Sequence, residues 1–154
     1  MTTVAGISHT TVSTSQLMPL GFEMEVPKGD QGVQVWVYIQ AAAALAVGDI
    51  VARAAGALSL TLAVAAIAPT NTPTILVAGV AQHIIATNSY GFVMKKGVGE
   101  VLADTGGITI NNGLKVGNAV AGRADNIAAG DHAFAVASEA AVATALATCW
   151  ISCP

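Results

Sequence analysis

Apolar and polar residues alternate in short runs along most of this chain, and a period of two predicts strands. In Gly21–Pro27, Phe22, Met24 and Val26 fall on one side and Glu23 and Glu25 on the other, as in a strand with one wet face. Lys28-Gly29-Asp30-Gln31-Gly32 is a turn cluster, and Val33–Gln40, with Trp36 and Tyr38, returns as a second strand. Residues 41–45 are Ala-rich but too short to stand as a helix, and they predict a loop or strand. Val47-Gly48-Asp49 is a turn that leads into a strand at Ile50–Arg53. Leu58, Leu60, Leu62 and Val64 alternate with small residues, which is again strand spacing, and Pro69 and Pro73 bracket an exposed loop.

The most organised stretch is Ile75–Ala103. Two β-branched runs flank a polar break at Thr87–Gly91, which predicts a hairpin. Lys95 and Lys96 fall on opposite faces of its return strand, where they would blunt a sheet edge against stray pairing or meet an acidic partner. Downstream, Ile108–Ile110 is a short strand, Asn112-Gly113 is a strong hairpin-turn dipeptide, and Leu114–Ala121 continues beyond it. Ala124–Gly130 reads as loop, and His132–Ala137 and Thr148–Cys153 read as further strands. The fold class is therefore all-β: a compact β-barrel or sandwich of short antiparallel strands, one domain over residues 21–154. Leu45-Ala-Val-Gly-Asp-Ile-Val-Ala52 and Leu114-Lys-Val-Gly-Asn-Ala-Val-Ala121 share five identities at a shift of 114 − 45 = 69 residues. That match, with a weaker one at a shift of 57, predicts two related β units at 41–103 and 110–154; chance alignment of Ala-rich strands competes with it.

Met1–Leu20 carries no Asp, Glu, Lys or Arg and alternates only weakly. It reads equally as an extended N-terminal arm and as a frayed terminus. As an arm, its apolar positions Val4, Ile7, Val12, Leu17 and Leu20 are the candidate contacts with a neighbouring subunit or a larger surface.

Composition sharpens the picture. Charged residues make up 10% of the 154 positions, where about 25% is usual, and hydrophobic residues make up 54%. A surface so poor in charge is expected to be covered by other subunits. Six Lys and Arg and a net charge of −3 leave no basic stripe for phosphates, so no nucleic-acid partner is expected. The longest uncharged apolar run, Ala54–Ala68, falls short of the ~20 residues that span a bilayer, and no basic residue precedes Lys28, so neither a membrane span nor an export signal is expected.

Candidate chemistry is sparse. Cys149 and Cys153 on one strand would sit roughly 13 Å apart, too far for a disulfide. His9, His83 and His132 are scattered without metal-ligand spacing, so neither metal nor cofactor is expected. Gly97-Val-Gly99 opens no helix and cradles no phosphate. No nucleophile–base pair is placed by sequence, Ser89 near His83 having no acid partner, and an enzyme is not expected.

Four stretches in order, Tyr38-Ile-Gln-Ala41, Leu45-Ala-Val-Gly-Asp-Ile-Val51, Val77-Ala-Gly-Val-Ala81 and Asn88-Ser-Tyr-Gly-Phe-Val-Met-Lys-Lys-Gly97, resemble the small capsid decoration, or cement, proteins of tailed bacteriophages. The resemblance covers roughly residues 20–125. It implies a compact β-barrel-like domain, a homotrimer, sited on the outer surface of the virion capsid and clamping neighbouring copies of the major capsid protein. It brings no catalytic residues. The Thr/Ser-rich N-terminal segment and the Cys-containing tail depart from it. A carbohydrate- or receptor-binding β module of a head fibre or adhesin is the competing expectation, with Trp36, Tyr38, Tyr90 and Trp150 as stacking platforms, although each stands where a core residue is expected.

Overall fold

The structure, a computed structural model, describes residues 6–53 and 65–154. Among the described residues it is a β fold of ten strands: β1 Glu23–Pro27, β2 Val33–Gln40, β3 Ile50–Arg53, β4 Ala65–Ile67, β5 Val77–Val80, β6 Tyr90–Leu102, β7 Gly113–Val116, β8 Ala124–Asn126, β9 Ala135–Ala137 and β10 Leu146–Ser152. The alternating run predicted over Leu58–Val64 lies outside the described residues.

β6, thirteen residues long, is the spine. The ladder runs β4-β3-β5-β6-β10-β9-β7-β8, and β2 adds to β6 with β1 beyond it. Lys96 of β6 is paired with both Val35 of β2 and Ser152 of β10. The lysine pair therefore lies in the interior of the sheet and blunts no edge; Lys95 Nζ is instead held 2.9 Å from Glu23 Oε1.

The continuous apolar runs in β2 and β6 have a physical reason. Trp36, Tyr38, Phe92 and Met94 enter the larger core, with Leu114, Phe134 and Ile151. The intervening Val37, Ile39 and Val93 enter a second core on the opposite face, closed by Leu45, Val51 and Ile85. Both faces are buried, so the period-two signal disappears there while β1, wet on one face, keeps it.

The sheet does not close into a barrel. Among the described strands the main ladder ends at β4 and β8, with β1 a further edge beyond β2, and the bend at residues 117–123 comes between β4 and β8. The Ile50 N–H donates to Gly122 O at 2.9 Å, and the Gly122 N–H donates to Ala68 O at 2.8 Å. With the Asn71 N–H donating to Gly117 O at 2.9 Å, these scattered bonds stand where a barrel would need a ladder of paired residues.

A four-residue turn recurs and launches the principal strands. In Ala46–Asp49, Ala86–Ser89, Thr109–Asn112 and Val142–Ala145 the fourth N–H donates to the first carbonyl, at 3.2, 3.0, 3.2 and 3.1 Å. The third residue is left-handed each time: Gly48 at φ +86°, Asn88 at +61°, Asn111 at +62° and Thr144 at +63°. The residues just before the turns pair with one another, Leu45 with Ile85 and Ile108 with Ala141. The next residues begin β3, β6, β7 and β10.

This geometry shifts two expectations. The turn near Asn112-Gly113 is centred on Ile110 and Asn111, and Gly113 already belongs to β7. Its strands do not form a hairpin across it, because β7 pairs with β8 and β9, and Ile108 makes only an isolated bridge. The octapeptide beginning at Leu45 forms a bridge, a turn and a strand, whereas the one beginning at Leu114 starts within β7 and then bends.

Thr144 is the odd member of the four turns. A β-branched residue is poorly suited to a left-handed backbone, and Asn or Gly fills the other three positions. Thr144→Asn is expected to stabilise the fold by about 0.5–1 kcal/mol, read as a Tm rise of roughly 1–4 °C. A lower Tm would mean that the threonine side chain contributes more than its backbone strain removes.

Candidate interaction surfaces

The described part of the N-terminal segment, Gly6–Leu20, lies across its own domain. Ser13 and Tyr90 exchange backbone hydrogen bonds of 3.0 and 2.7 Å. The Leu17 N–H donates to the Tyr38 hydroxyl at 3.1 Å, and the Gly21 N–H to Tyr38 O at 2.8 Å. Ile7 and Leu20, with Met18 between them, are half-buried against the larger core. Val12 and Leu17 remain exposed, at 40% and 46%. Val4 lies outside the described residues. The five predicted contact positions therefore divide: Ile7 and Leu20 help to build the domain, and Val12 and Leu17 are presented to solvent.

The sheet carries a second exposed apolar surface. On β10, Ala147, Cys149 and Ile151 point into the core while Leu146, Trp150 and Ser152 are exposed. Trp150 is paired with Val98 on β6 and with Val136 on β9, and Leu146 with Leu102. Trp150 is 42% exposed and Val136 is 47% exposed, in register on neighbouring strands. The tryptophan was expected in the core. Its position in the alternation of β10 was the available signal: it shares a parity with Thr148 and Ser152, opposite to the buried Cys149 and Ile151.

Of the other aromatic candidates, Trp36 and Tyr38 are inside and Tyr90 is half-buried. Tyr38 is stacked on Tyr90 with centroids 6.2 Å apart and tilted against Phe92 at 5.0 Å. Trp36 and Tyr38 are buried, so neither offers a face to a sugar ring.

A cleft of about 740 Å³ lies between residues 71–75 and residues 130–132, with Lys115 and Val116 on its floor. The Thr74 hydroxyl donates to His132 O at 2.6 Å and ties its two walls. Lys115 Nζ and Asp131 Oδ2 form an ion pair at 2.8 Å. The hydrogen bond between them raises the lysine pKa, and it is the main reason that the Asp131 pKa falls below its ordinary value.

The chemistry of the two thiols is muted. Cys149 and Cys153 are free and buried, and burial pushes both up to about 12. They remain protonated and weakly nucleophilic at neutral pH. Among the described residues no group of three or more His, Cys, Asp or Glu is placed to hold a metal ion.

One cluster was not visible in the sequence. His9, Trp36 and His83 are far apart along the chain, yet the His9 and His83 rings lie 4.6 and 6.3 Å from that of Trp36.

The chain matches no protein-family model and no curated protein. Its fold is similar to that of the N base of the head fibre protein gp8.5 of bacteriophage phi29, with a TM-score of 0.55 and 19% sequence identity. The match covers 77% of this chain and 94% of the phage protein's chain.

Proposed function

We propose that this chain is a structural subunit of a phage head, bound to the outer surface of the capsid through contacts with the major capsid protein. The observation that carries this reading is the shared fold with a phage head fibre base, a match that takes in nearly all of that chain. The composition supports it: a chain with 10% charged residues and exposed apolar side chains on two surfaces is suited to being covered by other subunits. In this reading the surface at Val12 and Leu17 meets the capsid, and the Val136–Trp150 surface meets other copies of the chain in a homotrimer. Its action is physical. A subunit that binds only the mature lattice stabilises that lattice by linkage, and a trimer multiplies a modest contact through avidity.

The base of a head fibre is the second reading, favoured by the identity of the structural neighbour. In that role the domain would anchor a longer assembly to the same surface. A glycan-binding role finds less support, because Trp150 is exposed without an exposed aromatic partner beside it among the described residues.

Removing the whole N-terminal segment would also strip Ile7, Met18 and Leu20 from the core. The cleaner test is Val12→Asp with Leu17→Asp, both at exposed positions. Wild-type protein is expected to saturate purified mature heads of a phage that encodes it. The double variant should retain its Tm and lose most of its occupancy, by roughly tenfold or more if each apolar contact is worth ~1 kcal/mol. Failure of the wild type to saturate heads would overturn the reading. Full occupancy by the variant would move the contact away from the arm.

A further inference from the structure

A cleft of about 360 Å³ lies beside the N-terminal segment, lined among others by His9, Lys28, Gln34, Trp36, His83 and Glu100. Its state is unusual for a protein interior. Gln34 Oε1, Trp36 Nε1 and His83 Nε2 are buried and have no hydrogen-bond partner among the described residues. Gln34 and Trp36 are each only 3% exposed, so these atoms have given up water without compensation. The Gln34 amide nitrogen, by contrast, is committed, donating to Val98 O at 3.0 Å. His9 lies over this cluster, its ring tilted 43° against the Trp36 indole.

We propose that Gly6–Val12 is a proton-operated latch: neutral His9, packed on Trp36, holds the segment down over the cleft, and protonation of His9 and His83 releases it. The geometry supplies both halves of the device. Polar atoms of Gln34, Trp36 and His83 stay unpaired in the cleft that His9 and Thr10 help to line, so the closed arrangement carries a standing cost. The groups facing the two imidazoles are mostly uncharged or cationic. Lys28 comes from the β1–β2 turn, and Gln82 from the β5–β6 connection is fully engaged with both backbone groups of Glu100, at 2.9 and 2.8 Å. Thr10, Gln31, Gln34 and Thr148 add uncharged polar lining. Glu100 is the one carboxylate there, and it is exposed, so water and salt screen its attraction.

The direction of the pH effect follows. Burial, then Lys28, lowers the His9 pKa below 6.5. Burial, then His9 itself, lowers that of His83. The closed form therefore binds fewer protons than the open form, so closure is fully favoured above about pH 6.5 and is lost progressively as pH falls below it. The two imidazoles also repel each other once both are charged. At acid pH the released segment would bare the Trp36 cleft.

Amide hydrogen exchange on the free full-length protein tests this, at about pH 7.5 and about pH 5, corrected for intrinsic rates. Protection of the Gly6–Val12 amides is expected to fall by roughly tenfold at the lower pH, relative to Tyr38 and Val93 in the sheet. His9→Phe with His83→Gln, which keeps an aromatic ring on Trp36 and removes both titrations, should hold its protection at both pH values. Equal protection of the parent at the two pH values would overturn the latch, as would an undiminished loss in the double variant. The measurement uses no phage heads, so it stands or falls separately from the capsid reading.

Discussion

Replacing Gly48 by alanine is expected to destabilise the fold by about 3–5 kcal/mol, among the largest effects a single methyl group can have here. Two costs add. Gly48 has φ +86°, and a left-handed backbone costs an L-residue about 1–2 kcal/mol. The larger cost is space. A Cβ at Gly48 would stand 2.8 Å from the Leu102 backbone nitrogen and 2.5 Å from Leu146 Cδ2. The leucine side chain can rotate away, but the backbone cannot: the Leu102 N–H donates to Gly48 O at 3.0 Å, and the Gly48 N–H donates to Ala81 O at 2.8 Å. Relief requires breaking one of these bonds and so parting the turn from the end of β6. Urea unfolding of Gly48→Ala should show a lower midpoint, with early exchange of the Leu102 amide. A loss under about 1 kcal/mol would mean that the turn moves freely against β6. Thr144→Asn probes the equivalent position of the sister turn and is expected to act in the opposite sense. The sign depends on what occupies the space around the turn and not on the left-handed backbone alone.

Much of the fold is legible from local chemistry. The Glu23/Glu25 against Met24/Val26 alternation placed β1 because one face of that strand is wet, and β-branched runs around a polar break marked β5 and β6, but the expected hairpin reduces to the single Val80–Met94 pair, because β6 runs along β2 and β10 instead. What escaped was set by partners distant in sequence. Lys95-Lys96 looks like an edge device, yet β2 and β10 both come to Lys96. The barrel expectation failed at one place, where the bend at residues 117–123 intervenes between the ends of the sheet. Nothing local announces that Gly122 will bond to both Ile50 and Ala68.

The turns show the same division. Gly48 and Asn88 carry the residue types that left-handed positions demand, and the sequence marks those turns plainly. Thr144 carries no such mark, so the turn before β10 was hidden. In place of that turn, the sequence offered the resemblance between Leu45–Ala52 and Leu114–Ala121. The surfaces were legible in part. The uncharged N-terminal segment reads equally as an arm or a frayed end, and its folding back onto Tyr38 and Tyr90 depends on bonds that its own residues do not encode. The His9–Trp36–His83 cluster is assembled from three separate stretches and leaves no local trace.

Asp104→Asn is expected to lose about 3 kcal/mol of stability at neutral pH. Asp104 is 1% exposed. Its Oδ1 accepts from the Thr105 N–H at 2.8 Å, and its Oδ2 accepts from the Ala119 N–H at 3.0 Å and the Val120 N–H at 3.4 Å. A carboxylate is the only side chain of this size with acceptors on both branches. In asparagine one branch becomes an NH2, and a donor would then face a donor. Glycine is needed opposite for the same reason, since a Cβ at Gly117 would overlap the Asp104 carboxylate. Burial by itself would raise the Asp104 pKa. The backbone N–H groups of Ala119, Thr105 and Val120, with the Arg123 guanidinium, outweigh it and hold the group below 3.8. The charged form is therefore favoured by folding, and its contribution is complete above about pH 4 and is lost as pH falls further. The stability gap between wild type and Asp104→Asn should accordingly be constant from neutral pH down to about pH 4 and narrow below it. The variant should also exchange the Ile50 amide early, because that amide donates to Gly122 in the bend that Asp104 pins. A gap that stays constant through pH 3 would assign the loss to packing and remove the carboxylate from the account. A protected Ile50 amide in the variant would show that the two ends of the sheet are held together without it.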